Sequence, residues 1–161
     1  MNKRRFMKRT PLRLFLVAPA LFFSFFCTNY SSQATIVNPV IILRIEKEGT
    51  GHIVTVAAQN VEISFAGYAV FQASSEAGVR SQTAVTAANT CFRSGVLPNQ
   101  AIEYIMEIKP GQTTVTAGTS NRICAAPVGL TPGNFLGIRS LQYQSLTNIV
   151  SGDISNTVFI P

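Results

Sequence analysis

His52 is the only histidine of this 161-residue chain, so any chemistry that needs an imidazole must run through it. A nucleophilic triad would join it to Asp153, the only aspartate, beside a serine. Neither residue sits in a motif that would build such a site. His52 follows Gly51 at the start of an apolar run and reads as an exposed turn histidine, and Ser151-Gly152-Asp153 reads as a turn. A zinc site needs His or Cys ligands at short, regular spacings, and the chain has no such cluster. Glu103 and Glu107 resemble a catalytic carboxylate pair, but on a strand they lie about 13 Å apart, at about 3.3 Å per residue. Glycosidase pairs lie roughly 5–9.5 Å apart. The two glutamates therefore read as a solvated face. Glycine-rich phosphate loops, Cys-x-x-Cys and nucleotide fingerprints are absent. The sequence thus predicts no catalytic residue, no cofactor and no metal ligand. A secreted hydrolase using His52 and the acids is the alternative.

Phe71, Tyr104, Phe135 and Tyr143 would form a binding patch if they met at the surface. Aromatic residues in strands are more often core or cross-strand partners, and that is the expectation here.

The three cysteines sort by compartment. Residues 1–13 carry six Lys and Arg and no acid, and residues 14–27 form an apolar run interrupted by Pro19 and Ser24. This order of a basic n-region and an apolar h-region is that of a secretory signal peptide, and the run is short of the roughly 20 residues of a spanning helix. Ser32-Gln33-Ala34 supplies small residues for cleavage between Ala34 and Thr35. Cleavage there removes Cys27 and leaves Cys91 and Cys124 to form a disulfide in an oxidising compartment. Cleavage before Cys27 would instead let its thiol carry a lipid anchor, although Phe25 and Phe26 stand where lipoprotein signals place small residues. The chain is expected to be secreted, periplasmic or on the outer surface, and any membrane contact to run through the signal or a lipid on Cys27.

The leader also accounts for the net charge of +6. Seven bases then face seven acids in residues 35–161, which are formally neutral. Phosphate binding needs clustered Lys and Arg, so nucleic acid is not an expected partner.

The elements that would position these residues are strands. Pro39 to Glu46 alternates, with Ile41, Leu43 and Ile45 expected inward and Arg44 and Glu46 outward. Glu48-Gly49-Thr50-Gly51 is a turn, and Ile53 to Gln59 follows as a strand. Phe65 to Gln72 is apolar on both faces and reads as a central strand. Ser74 to Ser81 reads as a loop and Thr83 to Ala87 as a short edge strand. Ala101 to Lys109 places Ile102, Tyr104, Met106 and Ile108 on one face. Thr113 to Ala117 is strand-like, Pro127 to Asn134 is a loop, and Phe135 to Gln144 and Asn156 to Ile160 are strands. About seven short strands predict an all-β antiparallel sandwich over residues 35–161, behind a signal-peptide helix over 1–34.

Gly67 to Ser74, GYAVFQAS, resembles the third strand of the fibronectin type III family. Gly137 to Leu141, GIRSL, is similar to its sixth strand and Ser155 to Pro161, SNTVFIP, to its last. Pro39 sits where the first strand of that family opens. The chain departs from the family in having no Trp, with Val56 or Ala58 at that site, and in offering Asn134, Phe135 or Leu136 in place of a corner Tyr. The resemblance implies an immunoglobulin-like sandwich and carries no catalytic residues. The expected function is a non-enzymatic module that binds a protein or glycan, or builds a surface assembly. A secreted protease inhibitor presenting Gly78-Val79-Arg80 from the Ser74 to Ser81 loop is a further reading. Partner contacts are expected in that loop and in Pro127 to Asn134.

Overall fold

Runs of β-branched and aromatic residues, punctuated by glycine, proline and asparagine, set the architecture. A computed structural model describes residues 39–92, 97–116 and 121–161. The leader, Cys27 and the junction of Ala34 with Thr35 lie outside the described residues. The described chain is mostly β. Its strands are β1 (Ile41–Glu48), β2 (Gly51–Ala58), β3 (Phe65–Ala73), β4 (Thr90–Phe92) and β5 (Ile102–Ile108). They continue as β6 (Arg122–Ala126), β7 (Phe135–Tyr143), β8 (Ile149–Ile154) and β9 (Val158–Phe159). One six-residue helix, α1 (Glu76–Ser81), follows β3.

The strands form two sheets. The first has the order β1-β2-β5-β6, antiparallel except that β6 runs parallel to β5. The second has the order β4-β3-β7-β8, and β9 pairs with β7 beyond the end of β8. One core fills the space between them, with Val54 and Val56 of β2 and Met106 and Ile108 of β5 from the first sheet. Tyr68 and Val70 of β3 and Leu136 and Ile138 of β7 come from the second. The expected all-β arrangement in two sheets is present, with two strands more than the sequence suggested among the described residues and with one parallel pair, β5 with β6, where antiparallel pairing was expected throughout. Tyr68 also hydrogen-bonds through its hydroxyl to Oδ1 of buried Asn60 at 2.8 Å, so the polar end of a core aromatic is satisfied.

The β1–β2 hairpin turns on Gly49 and Thr50, with Glu48 opposite Gly51. Gly49 has φ of 58°, the positive value that the first central position of a type II′ hairpin turn demands and that glycine adopts at no steric cost.

Register shifts break four of the strand pairs, that of β5 with β6 at Ile123 among them, and three of them change the faces that the sequence predicted. In β1 the register shifts between Ile42 and Arg44, so Leu43 is the extra residue. Ile42 is therefore buried, while Ile41 and Leu43 are exposed, against the expectation that both point inward. In β3 the shift between Phe65 and Gly67 brings Phe65 onto the Tyr68 face, where the two rings meet edge to face at 5.1 Å. In β8 an extra residue falls between Ser151 and Ile154. The Ser151-Gly152-Asp153 segment is thus a bulged strand rather than a turn. The guanidinium of Arg139 fixes the bulge by donating to the Gly152 carbonyl at 2.9 Å.

The outer face of the second sheet is covered by α1. Ser75 caps the helix, its hydroxyl accepting from the Gly78 N–H at 3.1 Å. Val79 drops onto Gly137 of β7, where an added Cβ would lie 2.6 Å from Val79 Cγ1. Arg139 donates to the carbonyls of Arg80 and Gln82 and lies 5.9 Å from the Phe71 ring centre, which welds the helix end to the sheet. The stretch Ser74 to Ser81, expected as a loop, therefore holds a capped helix over Glu76–Ser81. Thr83 to Ala87 is irregular and enters a turn, and 113–116 holds no strand; Ala117 lies outside the described residues.

Candidate functional site

β4 and β6 are the end strands of different sheets, and they face each other along one flank of the sandwich. Cys91 of β4 and Cys124 of β6 lie at disulfide-bonding distance across that flank, with Cα atoms 5.4 Å apart. The pairing expected from the sequence is the one present. Both cysteines are buried, so the bridge is internal.

Over the bridge lies a cleft of about 440 Å3. Thr90 and Phe92 of β4 form one wall, Ile123 and Ala125 of β6 the other, and Thr113 to Val115 lie across it. Phe92 leaves 54% of its surface exposed, so an aromatic face is offered to solvent at the mouth. Among the described residues, each of these two strands is paired along one side only, leaving backbone N–H and C=O groups on the other.

A buried carboxylate holds the segment that crosses the cleft. Period two along β5 turns Met106 and Ile108 into the core and Glu107 onto the outer face of the first sheet. There Glu107 is 3% exposed, because the chain from Gln112 to Thr116 folds over it. It accepts from the guanidinium of Arg122, from Gln112 Nε2, and from the backbone N–H and hydroxyl of Thr116 at 3.1 and 3.2 Å. Gln112 also donates to the Thr114 carbonyl at 2.9 Å. Arg122 reaches Glu48 at 3.8 Å. A buried charge is tolerated when paired and fully hydrogen-bonded, and Glu107 meets both conditions. The sequence expectation of two solvated glutamates holds for Glu103, which is exposed, and fails for Glu107.

His52 is likewise not an exposed turn residue. It is 6% exposed on β2, and neither ring nitrogen has a hydrogen-bond partner among the described residues. Its pKa is pushed below 6.5 by burial and, secondarily, by the charge of Lys47, its cross-strand neighbour. Asp153 is exposed on β8 of the other sheet, so the structure does not bring these two residues together. Among the described residues no group of three or more His, Cys, Asp and Glu is placed to hold a metal ion.

The four nominated aromatics do not form one surface. Phe71 is buried and Phe135 partly so beneath α1, Tyr104 packs against the central core, and Tyr143 is exposed at the end of β7. Pro127 to Asn134 is irregular as expected and is tied down by Gln72, which donates to the Gly129 carbonyl and accepts from the Thr131 N–H. The cleft residues escaped the sequence reading because TCF and RICAA are too short to alternate; the paired cysteines were the signal that could have located them.

No family model, curated protein or solved structure matches the chain.

Proposed function

We propose that this protein is an exported, non-enzymatic β-sandwich module of immunoglobulin-like type that binds an extended segment of a protein partner in the cleft between β4 and β6. The observation that carries the reading is the meeting of two half-paired end strands, bridged by Cys91 and Cys124, along one cleft. With Cα atoms 5.4 Å apart at the bridge no strand fits between β4 and β6, so the segment would lie over the bridge, held by the main-chain groups of one free edge and by the side chains that line the cleft. The Glu107 network supports this by holding the cleft's crossing segment in place without the partner.

Strand order supports the immunoglobulin-like type. Sequence positions β1-β2-β5 and β3-β7-β8 correspond to the A-B-E and C-F-G strands of that fold, with β4 beside β3 as an added strand. β6 has no counterpart: it lies beside β5 where strand D would lie, yet follows β5 in the chain and runs parallel to it. Export is supported by the basic and apolar leader and by the cysteine pair. The non-enzymatic reading is supported by the separation of His52 from Asp153 and by the occupation of Glu107 with structural partners.

The exposed Phe92 ring beside the hydroxyls of Thr90, Thr113 and Thr114 favours a second reading, a glycan stacked on the ring. Screening the protein against a displayed peptide library and a glycan array separates the two. Peptide hits lost in Phe92→Ala are expected. Glycan hits lost in that variant would favour the second reading, and hits insensitive to it would overturn the cleft as the site.

A further inference from the structure

We infer that the end of the sandwich carrying Ile63 and Leu146 docks on a lipid bilayer surface. Ile63 is 98% exposed and Leu146 is 99% exposed, so two large aliphatic side chains stand almost wholly in water. Single exposed apolar residues are ordinary, but two at the tips of neighbouring connections are not. Ile63 lies between β2 and β3 and Leu146 between β7 and β8. The Tyr143 N–H donates to the Ser64 carbonyl at 2.7 Å, and Phe65 pairs with Gln142, which places both connections at the same end. Val61, 40% exposed, and Tyr143, 47% exposed, stand behind the tips.

Three features select a bilayer as the occupant. The tips are projecting loops backed by a tyrosine and by uncharged Ser64, Gln144, Ser145, Thr147 and Asn148, the layering of an apolar point and a wet aromatic belt found at membrane interfaces. Within 59–64 and 142–149 the one charged residue is Glu62, so the surface is suited to neutral headgroups rather than to a charged partner. The chain also enters the sandwich here. β1 begins at this end, since Ile41 pairs with Ala57 and Ala58 with Ile102, while the Gly49-Thr50 hairpin lies at the opposite end. The apolar run of residues 14–27 and Cys27 precede this entry point in sequence. This site shares no residue with the cleft and does not depend on what the cleft binds.

The chain has no Trp, so Leu146→Trp gives a single tryptophan, which can be excited apart from the four tyrosines, in the exported protein as the cell delivers it. With phosphatidylcholine vesicles its emission is expected to shift to the blue and to be quenched by bromine on the acyl chains. Thr50→Trp, at the opposite end, is expected to do neither, and added salt is expected to change nothing. Ile63→Ser with Leu146→Ser is expected to lower vesicle partition by about tenfold or more, or to abolish depth quenching where the leader itself holds the chain. Unchanged melting of that double variant would separate the effect from folding. An unshifted Leu146→Trp spectrum, or an equal response at Thr50, would overturn the inference. A blue shift that grows with protein concentration without vesicles would assign the tips to a second copy, and one that needs an added protein would assign them to that protein; either overturns the bilayer.

Discussion

The carboxamide of Asn156 satisfies both backbone groups of Ile42, accepting from its N–H at 2.8 Å and donating to its carbonyl at 2.9 Å. The two residues are 114 apart in sequence: Ile42 lies on β1 of the first sheet, and Asn156 lies in the connection between β8 and β9 of the second. The side chain stands in for a neighbouring strand along the free edge of β1 beside its bulge. On the other flank Cys91 and Cys124 join β4 to β6. The sandwich is thus fastened on both sides, by an amide on one and a bridge on the other, and the cleft opens beside the bridge.

Asn156→Ala removes two hydrogen bonds at a partly buried edge and is expected to cost about 1–2 kcal/mol. The midpoint of urea unfolding should fall with its slope unchanged, and amide exchange in β1 should quicken. An unchanged midpoint would show that β1 is held by its pairing with β2 alone.

Glu107→Gln leaves the Arg122 guanidinium without its buried partner. The expected cost is about 3 kcal/mol, at the low end for breaking a buried pair because Arg122 keeps Glu48. Replacing both residues, as Glu107→Leu with Arg122→Met, should cost less than the single change. Chemical denaturation of the two variants compares them directly, and a double variant weaker than the single one would contradict the account.

Replacing both Cys91 and Cys124 by alanine frees a closed loop of 33 residues and is expected to cost roughly 3–4 kcal/mol. Because the bridge joins the walls of the cleft, partner binding should fall as well at temperatures where the variant remains folded. Thermal melting with and without reductant gives the first effect.

His52 carries a folded-state pKa below its ordinary 6.5 because burial disfavours the cation and Lys47 repels it. Above 6.5 the ring is neutral in both states and its contribution is whole. As pH falls from 6.5 toward the lower folded value the unfolded chain binds the proton first, so stability is lost with acidification. Unfolding midpoints from about pH 8 to about pH 5 should show this decline, and His52→Leu should flatten it. A decline of the same size in that variant would assign it to other groups.

The sequence carried the long alternating strands because their period survives in composition: β5 and β7 lie within a residue or two of where Ala101 to Lys109 and Phe135 to Gln144 placed them. Faces were less legible than strands. One extra residue at Leu43 reversed the orientation of Ile41 and Ile42, and nothing local to that run announces a bulge. α1 was hidden because six residues are too few for a helical period, and its support comes from Gly137, far along the chain. β8 was hidden because its Ser-Gly-Asp run has turn composition, and Arg139 is what makes it a bulged strand. The burial of Glu107 and His52 depends on which segments fold over them, a tertiary fact. Of the cleft, the cysteine pair was legible and the walls were not.

The proposed site runs along β4 and β6. Hydrogen exchange of the protein with and without a ligand recovered from the peptide and glycan screens tests it most directly. New protection is expected at 90–92 and 122–126, with affinity lowered about tenfold or more by Phe92→Ala and melting unchanged. Protection confined to other strands, or a catalytic turnover abolished by His52→Gln, would contradict it.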